Sequence, residues 1–255
     1  MKSSILIGLM TVVWIVLMVN IILQGTEGKW YIEDAEKIEK LEMAKYTNQI
    51  IVVAVSDEGA NLCFFERKNT IENVFEGSEE GETSKVREKD KESGYWQLVL
   101  ETEVLIGWNG LGKTREGDGK TPVGVFRFTN AFGILENPGA KIEYTQVDER
   151  HYWVDDSESR YYNQFISIDE VKKDWDSAEH ICKFEESYHY VLATSYNIER
   201  IPGAGSAVFL HCTSKDAKAT AGCIAIPEKD MRELMKNVEP QCILIIDKNE
   251  NILNY

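Results

Sequence analysis

The sequence predicts a mainly β domain, a sandwich or barrel with one or two peripheral helices, preceded by an N-terminal transmembrane helix. Three observations carry that prediction. An uncharged apolar run opens the chain. Many short segments rich in β-branched and aromatic residues follow, separated by Gly, Pro, Asn and Asp, and a clear helical pattern comes only late. At 255 residues the chain is long enough for one sizeable domain with appendages, and its 43% hydrophobic content supports a packed core. With 43 acidic against 28 basic residues the net charge is −15, which argues against a nucleic-acid partner, because phosphate binding needs clustered Lys and Arg.

The opening run, Ile5 to Leu23, has no charged side chain and only Thr11 and Asn20 as clearly polar groups. Its length at helical rise matches a hydrocarbon core of about 30 Å. It is longer than the apolar part of a cleavable signal, and there is no Ala before Ala35 to suit a cleavage site. Residues 1–28 therefore read as an uncleaved single-pass anchor in the cell membrane. Lys2 inside and no basic cluster soon after place residues 25–255 outside the cytoplasm. Residues 29–48 are charged, with Ile32, Ala35, Ile38 and Leu41 at helical spacing, and predict a stalk helix next to the membrane.

Residues 49–255 form the main domain. "QIIVVAVSD" and "NLCFFER" around the turn "DEGAN" predict a β-hairpin. Residues 76–94 have almost no large apolar group and predict a solvated loop. "YWQLVLETEVLIGW", "VFRFTNAFG", "KIEYTQV" and "HYWVDD" continue the β pattern, and "SIDEVKKDWDSAEHICK" predicts a polar helix. "YHYVLATSYN", "SAVFLHC", "GCIAI" and "CILIID" supply the final strands. Before the last of these, "PEKDMRELMKNV" has Pro227 at a helix start, acids in the first turn, and Met231, Leu234, Met235 and Val238 on one face.

The five cysteines, Cys63, Cys182, Cys212, Cys223 and Cys242, are odd in number and irregularly spaced, so no disulfide framework is indicated. The stretch "AVFLHCTSKDAKATAGCIAIP" admits several readings: a Cys212–Cys223 disulfide, a metal site, a buried structural cysteine, or a thiol nucleophile with its base. A metal site lacks the paired spacing of zinc proteins, and His151, His180 and His189 stand apart. The pattern favours chemistry. His211 ends one apolar strand and Cys223 begins the next, and antiparallel pairing of the two would return the thiol to the imidazole. A free thiol has a pKa of about 8.5 and is mostly protonated at neutral pH, so a neighbouring base is what makes it a nucleophile. Gly222 lets a carbonyl approach the backbone, and nearby amides suit a developing oxyanion.

"GAGSAVFLHC" with "TAGCIAIPEKDM" resembles the catalytic signature of the L,D-transpeptidase (YkuD-like) family, in which a strand ends in His and a Ser/Thr-x-Gly-Cys segment carries the nucleophile. "GKTREGDGKTPVGVF" resembles a second hallmark of that family. "HYWVDDSESRYYNQF" resembles the segment one branch places along its substrate groove. The resemblance spans roughly residues 49–247. It implies a β-sandwich acting, without metal or organic cofactor, on the stem peptides of peptidoglycan. Cys223 would form a thioester and release the terminal D-alanine, and His211 would be base and then acid. Thr220 would orient the site, with the Gly222 and Cys223 amides as oxyanion donors. An amine acceptor gives a cross-link and cell-wall transpeptidation; water gives L,D-carboxypeptidase action or that of another cysteine amide hydrolase on the same fold. A non-catalytic wall-binding module is the reading from another class.

The same resemblance assigns Trp153, Asp155, Tyr162 and Asn163 to substrate contact, while Asp118, Gly119 and Thr121 read as turn-forming and His189 as structural. The chain departs from the family pattern at Cys212, where Gly is common, and at Ala221 and Ala225, where His and Arg are common. Losing the Arg removes a carboxylate-binding group, for which Lys113, Arg115 and Lys120 are the nearby substitutes.

Overall fold

The computed structural model describes residues 35–69 and 94–255. The expected membrane segment, the start of the stalk and nearly all of the charged loop lie outside the described residues. Among the described residues no helix is long and apolar enough to cross a membrane.

The predicted hairpin is present. β1 (Gln49–Ser56) pairs antiparallel with β2 (Gly59–Asn69), Val52 facing Cys63, and β3 (Gly94–Glu103) pairs with β2 on its far side. On its other side β1 runs parallel to β13 (Ile243–Lys248), with β4 (Gly124–Phe126) at the edge, giving the order β3-β2-β1-β13-β4. The unbroken apolar runs "IIVVAV" and "ILII" follow from burial on both faces. Ile51, Val53, Leu244 and Ile246 enter the main core, while Ile50, Val52, Ile243 and Ile245 pack on the opposite side.

That opposite side corrects the stalk. Residues 35–45 are not one continuous helix. A single helical turn, α1 (Ala35–Ile38), is followed by a 3-10 turn (Glu42–Lys45), and Ile38, Leu41 and Ala44 are buried against the outer face of the first sheet with Ile252. The helical spacing was real, but the apolar stripe meets a sheet and the segment bends to cover it.

The second sheet has the order β12-β11-β10-β5-β6, built from β5 (Phe128–Gly133), β6 (Tyr144–Gln146), β10 (Val191–Thr194), β11 (Phe209–Cys212) and β12 (Ile224–Ile226). Leu192, Leu210, Cys212, Ile224 and Ile226 meet the first sheet's apolar side chains in one core. The helix α2 (Glu228–Asn237) buries Met231, Leu234 and Met235 in the same core, as its pattern predicts.

A third, three-stranded sheet, β8-β7-β9, joins β7 (His151–Val154), β8 (Gln164–Ser167) and β9 (Ala178–His180). It sits against the outer face of the second sheet through Trp153, Phe132 and Phe209. Here the predicted polar helix over residues 167–183 does not form. Residues 178–180 are β9, followed by a 3-10 turn at Ile181–Lys183, and Trp175 packs with Val154 and Ile166. Pairing with β7 outweighs a weak local propensity.

Candidate active site

β11 and β12 pair in parallel, not antiparallel as the sequence suggested: Leu210 stands beside Ile224 and His211 beside Ala225. Continuing that register by one step puts Cys223 beside Phe209. Alternation along a strand then sorts the residues onto two faces. Leu210, Cys212, Ile224 and Ile226 face the main core, and Phe209, His211, Cys223 and Ala225 face the other way. Cys223 and His211 line one cavity of about 310 Å³. Cys212, fully buried on the core side, is bonded through Sγ–H to the Tyr190 carbonyl at 3.7 Å. None of the five cysteines is in a disulfide, and no Cys212–Cys223 bridge exists.

The Cys223 thiol donates to the Ala207 carbonyl at 3.1 Å and accepts from Phe209 N–H at 3.4 Å. Ala207 is held at φ 52°, a left-handed conformation that costs an alanine about 1 kcal/mol or more. What holds it there is Asn163, whose Oδ1 accepts from Ala207 N–H at 3.2 Å and from Trp153 Nε1–H at 3.0 Å. Asn163 Nδ2 donates to the carbonyls of Tyr196 and Asn197. Trp153 and Asn163, expected at the substrate, thus brace the backbone that positions the thiol, and they border a separate cavity. Tyr162 is buried and donates to Glu116 Oε1 at 2.6 Å. Of the four groove residues, Asp155 lines the Cys223 cavity.

The carbonyl of Cys223 receives two hydroxyls, Thr220 at 2.7 Å and Thr121 at 3.3 Å. Thr121 is fully buried and also accepts from Gly107 N–H at 2.9 Å, so it does more than form a turn. Gly222 has φ 142°, and a Cβ there would come within 2.7 Å of the Lys120 carbonyl, so only glycine fits. Its N–H, expected to serve an oxyanion, donates at rest to Thr220 Oγ1 at 3.1 Å. Asp118 organises the turn: it accepts from the N–H groups of Thr114, Arg115 and Lys120 and from Lys113 Nζ at 3.1 Å. Burial alone would raise its pKa, but these donors hold it well below the usual carboxylate range.

His211 is buried, and its Nδ1 lies 2.8 Å from the Cys212 carbonyl. With Nδ1–H donated there, Nε2 carries the lone pair. Burial lowers its pKa to about 4, although the Cys212 and Ser187 carbonyls pull the other way. Burial also pushes the Cys223 thiol up to about 12, with the Glu179 charge adding to it. The resting pair is therefore neutral thiol and neutral imidazole.

The cavity lining also includes Glu116, Glu179, Tyr188 and Ser206, which the sequence does not single out. Glu116 sits inside the quoted "GKTREGDGKTP" motif and was available to reading. Glu179 lies on β9, inside the segment whose composition predicts a helix. Tyr188 donates to Glu179 Oε2 at 2.6 Å, and its ring lies edge-on to His211 at 5.5 Å between centroids. Burial raises Glu179 to about 7, and the charges of Asp155 and Glu116 add to the rise. His189 pairs with Glu228 at 2.7 Å, away from the cavity.

Among the described residues, Glu149, His180 and Cys182 bring possible metal ligands within 4.8 Å of one another. They satisfy one another and their neighbours: His180 Nε2 meets the Glu149 carbonyl at 2.9 Å and Cys182 Sγ at 3.2 Å, and Lys183 pairs with Glu149 at 3.1 Å.

A family model described as the YkuD L,D-transpeptidase catalytic domain matches residues 87–246. Two of the solved structures that resemble the chain are L,D-transpeptidase structures. One is titled as the structure of the Ldtfm–avibactam carbamoyl enzyme, 13% identical, covering 79% of this chain and 49% of that one with a TM-score of 0.35. The other is a cysteine-to-serine mutant of Enterococcus faecium L,D-transpeptidase, 13% identical, covering 80% and 51% with a TM-score of 0.35. The chain spans about half the length of these structures. No curated protein matches it.

Proposed function

The chain belongs to the L,D-transpeptidase catalytic domain (YkuD) family, and on that premise we propose that it is a peptidoglycan L,D-transpeptidase working through a thioester on Cys223. One observation carries the reading: Cys223 and His211 share one face of the β11–β12 pair and line one cavity. The Cys223 sulfur attacks the carbonyl of the L-centre that precedes a terminal D-residue. As the C–S bond forms, the thiol proton moves to His211 Nε2, since neither group is charged at rest. Collapse of the tetrahedral adduct breaks the C–N bond, and His211 gives the proton to the departing amine. An acceptor amine then attacks the thioester, and its proton returns to sulfur through His211.

The positioning contacts serve this sequence of steps. Thr220 and Thr121 fix the Cys223 carbonyl, and with it the backbone of the residue whose own N–H would face the oxyanion. Gly222 N–H is bound to Thr220 and would have to leave that bond to contribute. Residues 5–23 would hold the domain at the outer face of the cell membrane. External protease should then remove it from cells stripped of wall, and full protection would overturn that topology.

The test of the reaction is mass spectrometry of purified wall fragments incubated with the full chain in detergent. Cross-linked dimers formed with loss of D-alanine are the expected products. Trimmed tripeptides alone would make the enzyme a carboxypeptidase, and untouched fragments with unmodified Cys223 would sink the assignment.

A further inference from the structure

The cavity beside Cys223 is acidic in a way that the transfer chemistry does not require. Glu116, Asp155 and Glu179 line it. Among the described residues that line it, Lys113 is the cation, and its buried ammonium is engaged with Asp118 at 3.1 Å. Tyr162 and Tyr188 each donate to one oxygen of an acid at 2.6 Å, which leaves the other oxygen of each open to a donor. A further polar atom, Asp155 Oδ1, has no hydrogen-bond partner, and Oγ of Ser206, a cavity-lining residue only 7% exposed, is near the Tyr162 hydroxyl. A buried carboxylate oxygen left without a partner is costly unless something fills the space beside it. The acids also sense one another, since Asp155 and Glu116 add to the rise that burial imposes on Glu179.

A metal ion fits this wall poorly. The trio of potential ligands that closes within 4.8 Å lies elsewhere, at Glu149, His180 and Cys182. An organic cation with several N–H donors can span more widely spaced acceptors.

We propose that Asp155, Glu179 and Ser206 form a subsite for a side-chain ammonium on the substrate residue whose carbonyl Cys223 attacks. The subsite selects a side chain ending in an amine without a carboxylate beside it. Such a carboxylate would enter a cavity already carrying three acids, with Lys113 committed to Asp118. This rests on the transpeptidase reading of Cys223.

The test uses the full chain and three tetrapeptide donors differing only at the third residue: lysine, Nε-acetyl-lysine, and a diamino acid with a carboxylate next to its side-chain amine. Release of the terminal D-alanine and acylation of Cys223 are followed by mass spectrometry. The lysine donor should lead both others by about tenfold or more in kcat/KM, the size of one charge-assisted contact. Asp155→Asn and Glu179→Gln should each shrink that lead. Equal use of lysine and acetyl-lysine donors, or a lead untouched by both substitutions, would overturn the subsite and leave the transpeptidase standing. Failure of every donor to acylate Cys223 would instead count against the transpeptidase. In that case NMR titration with Nα-acetyl-lysine methylamide decides the subsite: binding weakened by Asp155→Asn supports it, and no binding rejects it.

Discussion

The two faces of the β11–β12 pair differ in kind although they alternate along the same few residues. One face, with Leu210, Cys212, Ile224 and Ile226, is packed and apolar, and its one polar atom is satisfied by the Tyr190 carbonyl. The other carries His211 and Cys223 into a cavity where a carboxylate oxygen has no partner. A buried thiol is inert when its surroundings are complete, whatever its sequence context. Two cysteines eleven positions apart are thus separated by which side of a sheet they take.

The sharpest way to break this contrast is to remove each thiol in turn. Cys223→Ala should abolish thioester formation, read by mass spectrometry of the intact protein after incubation with donor. Cys212→Ala should keep most activity and cost about 1–2 kcal/mol of stability in urea unfolding, as small core truncations do. Comparable loss of activity in both would show that the faces are not functionally distinct. A smaller effect is expected from the brace behind the thiol. Asn163→Gly keeps the φ of 54° accessible but removes the acceptor that holds Ala207 N–H. Acylation should slow by roughly tenfold, with a stability loss of about 1–3 kcal/mol from the lost buried hydrogen bonds. An unchanged acylation rate would reduce Asn163 to a fold residue.

The contrast also explains what was legible in the sequence. The packed face was, because β-branched alternation and apolar runs announce strands, and the mainly β architecture followed. His211, Cys223 and Gly222 were legible because their order in one short stretch resembles a known signature. The parallel pairing was not: it depends on the path taken between Cys212 and Ile224, which no local pattern encodes. Glu179 was not legible either, since a lone acid in a polar segment looks the same on a solvated helix as on a strand beside an active site. That Trp153 and Asn163 brace Ala207 was not legible, because a motif names residues without saying what they touch.

The smallest effect concerns protons, and it isolates the cavity face alone. His211 titrates at about 4 in the folded chain and about 6.5 when free. Between those values the unfolded chain binds a proton that the native one refuses, so this term stabilises as pH rises and is lost as pH falls from about 6.5 to 4. Glu179 titrates at about 7 folded and 4.5 free. In that window the native chain keeps a proton that the unfolded one releases, so this term is present in acid and lost as pH rises from about 4.5 to 7. Each slope is at most about 1.4 kcal/mol per pH unit, and where the windows overlap the two oppose each other. The intact protein should therefore show little pH dependence from this pair between pH 5 and 6. Urea unfolding of Glu179→Gln should reveal stability that climbs with pH across that range, and His211→Asn should reveal stability that falls. Parallel profiles for both variants and the intact chain would mean that the cavity is wet enough to leave both groups at their ordinary values. The physical distinction between the two faces would then be gone, even if Cys223 proved to be the nucleophile.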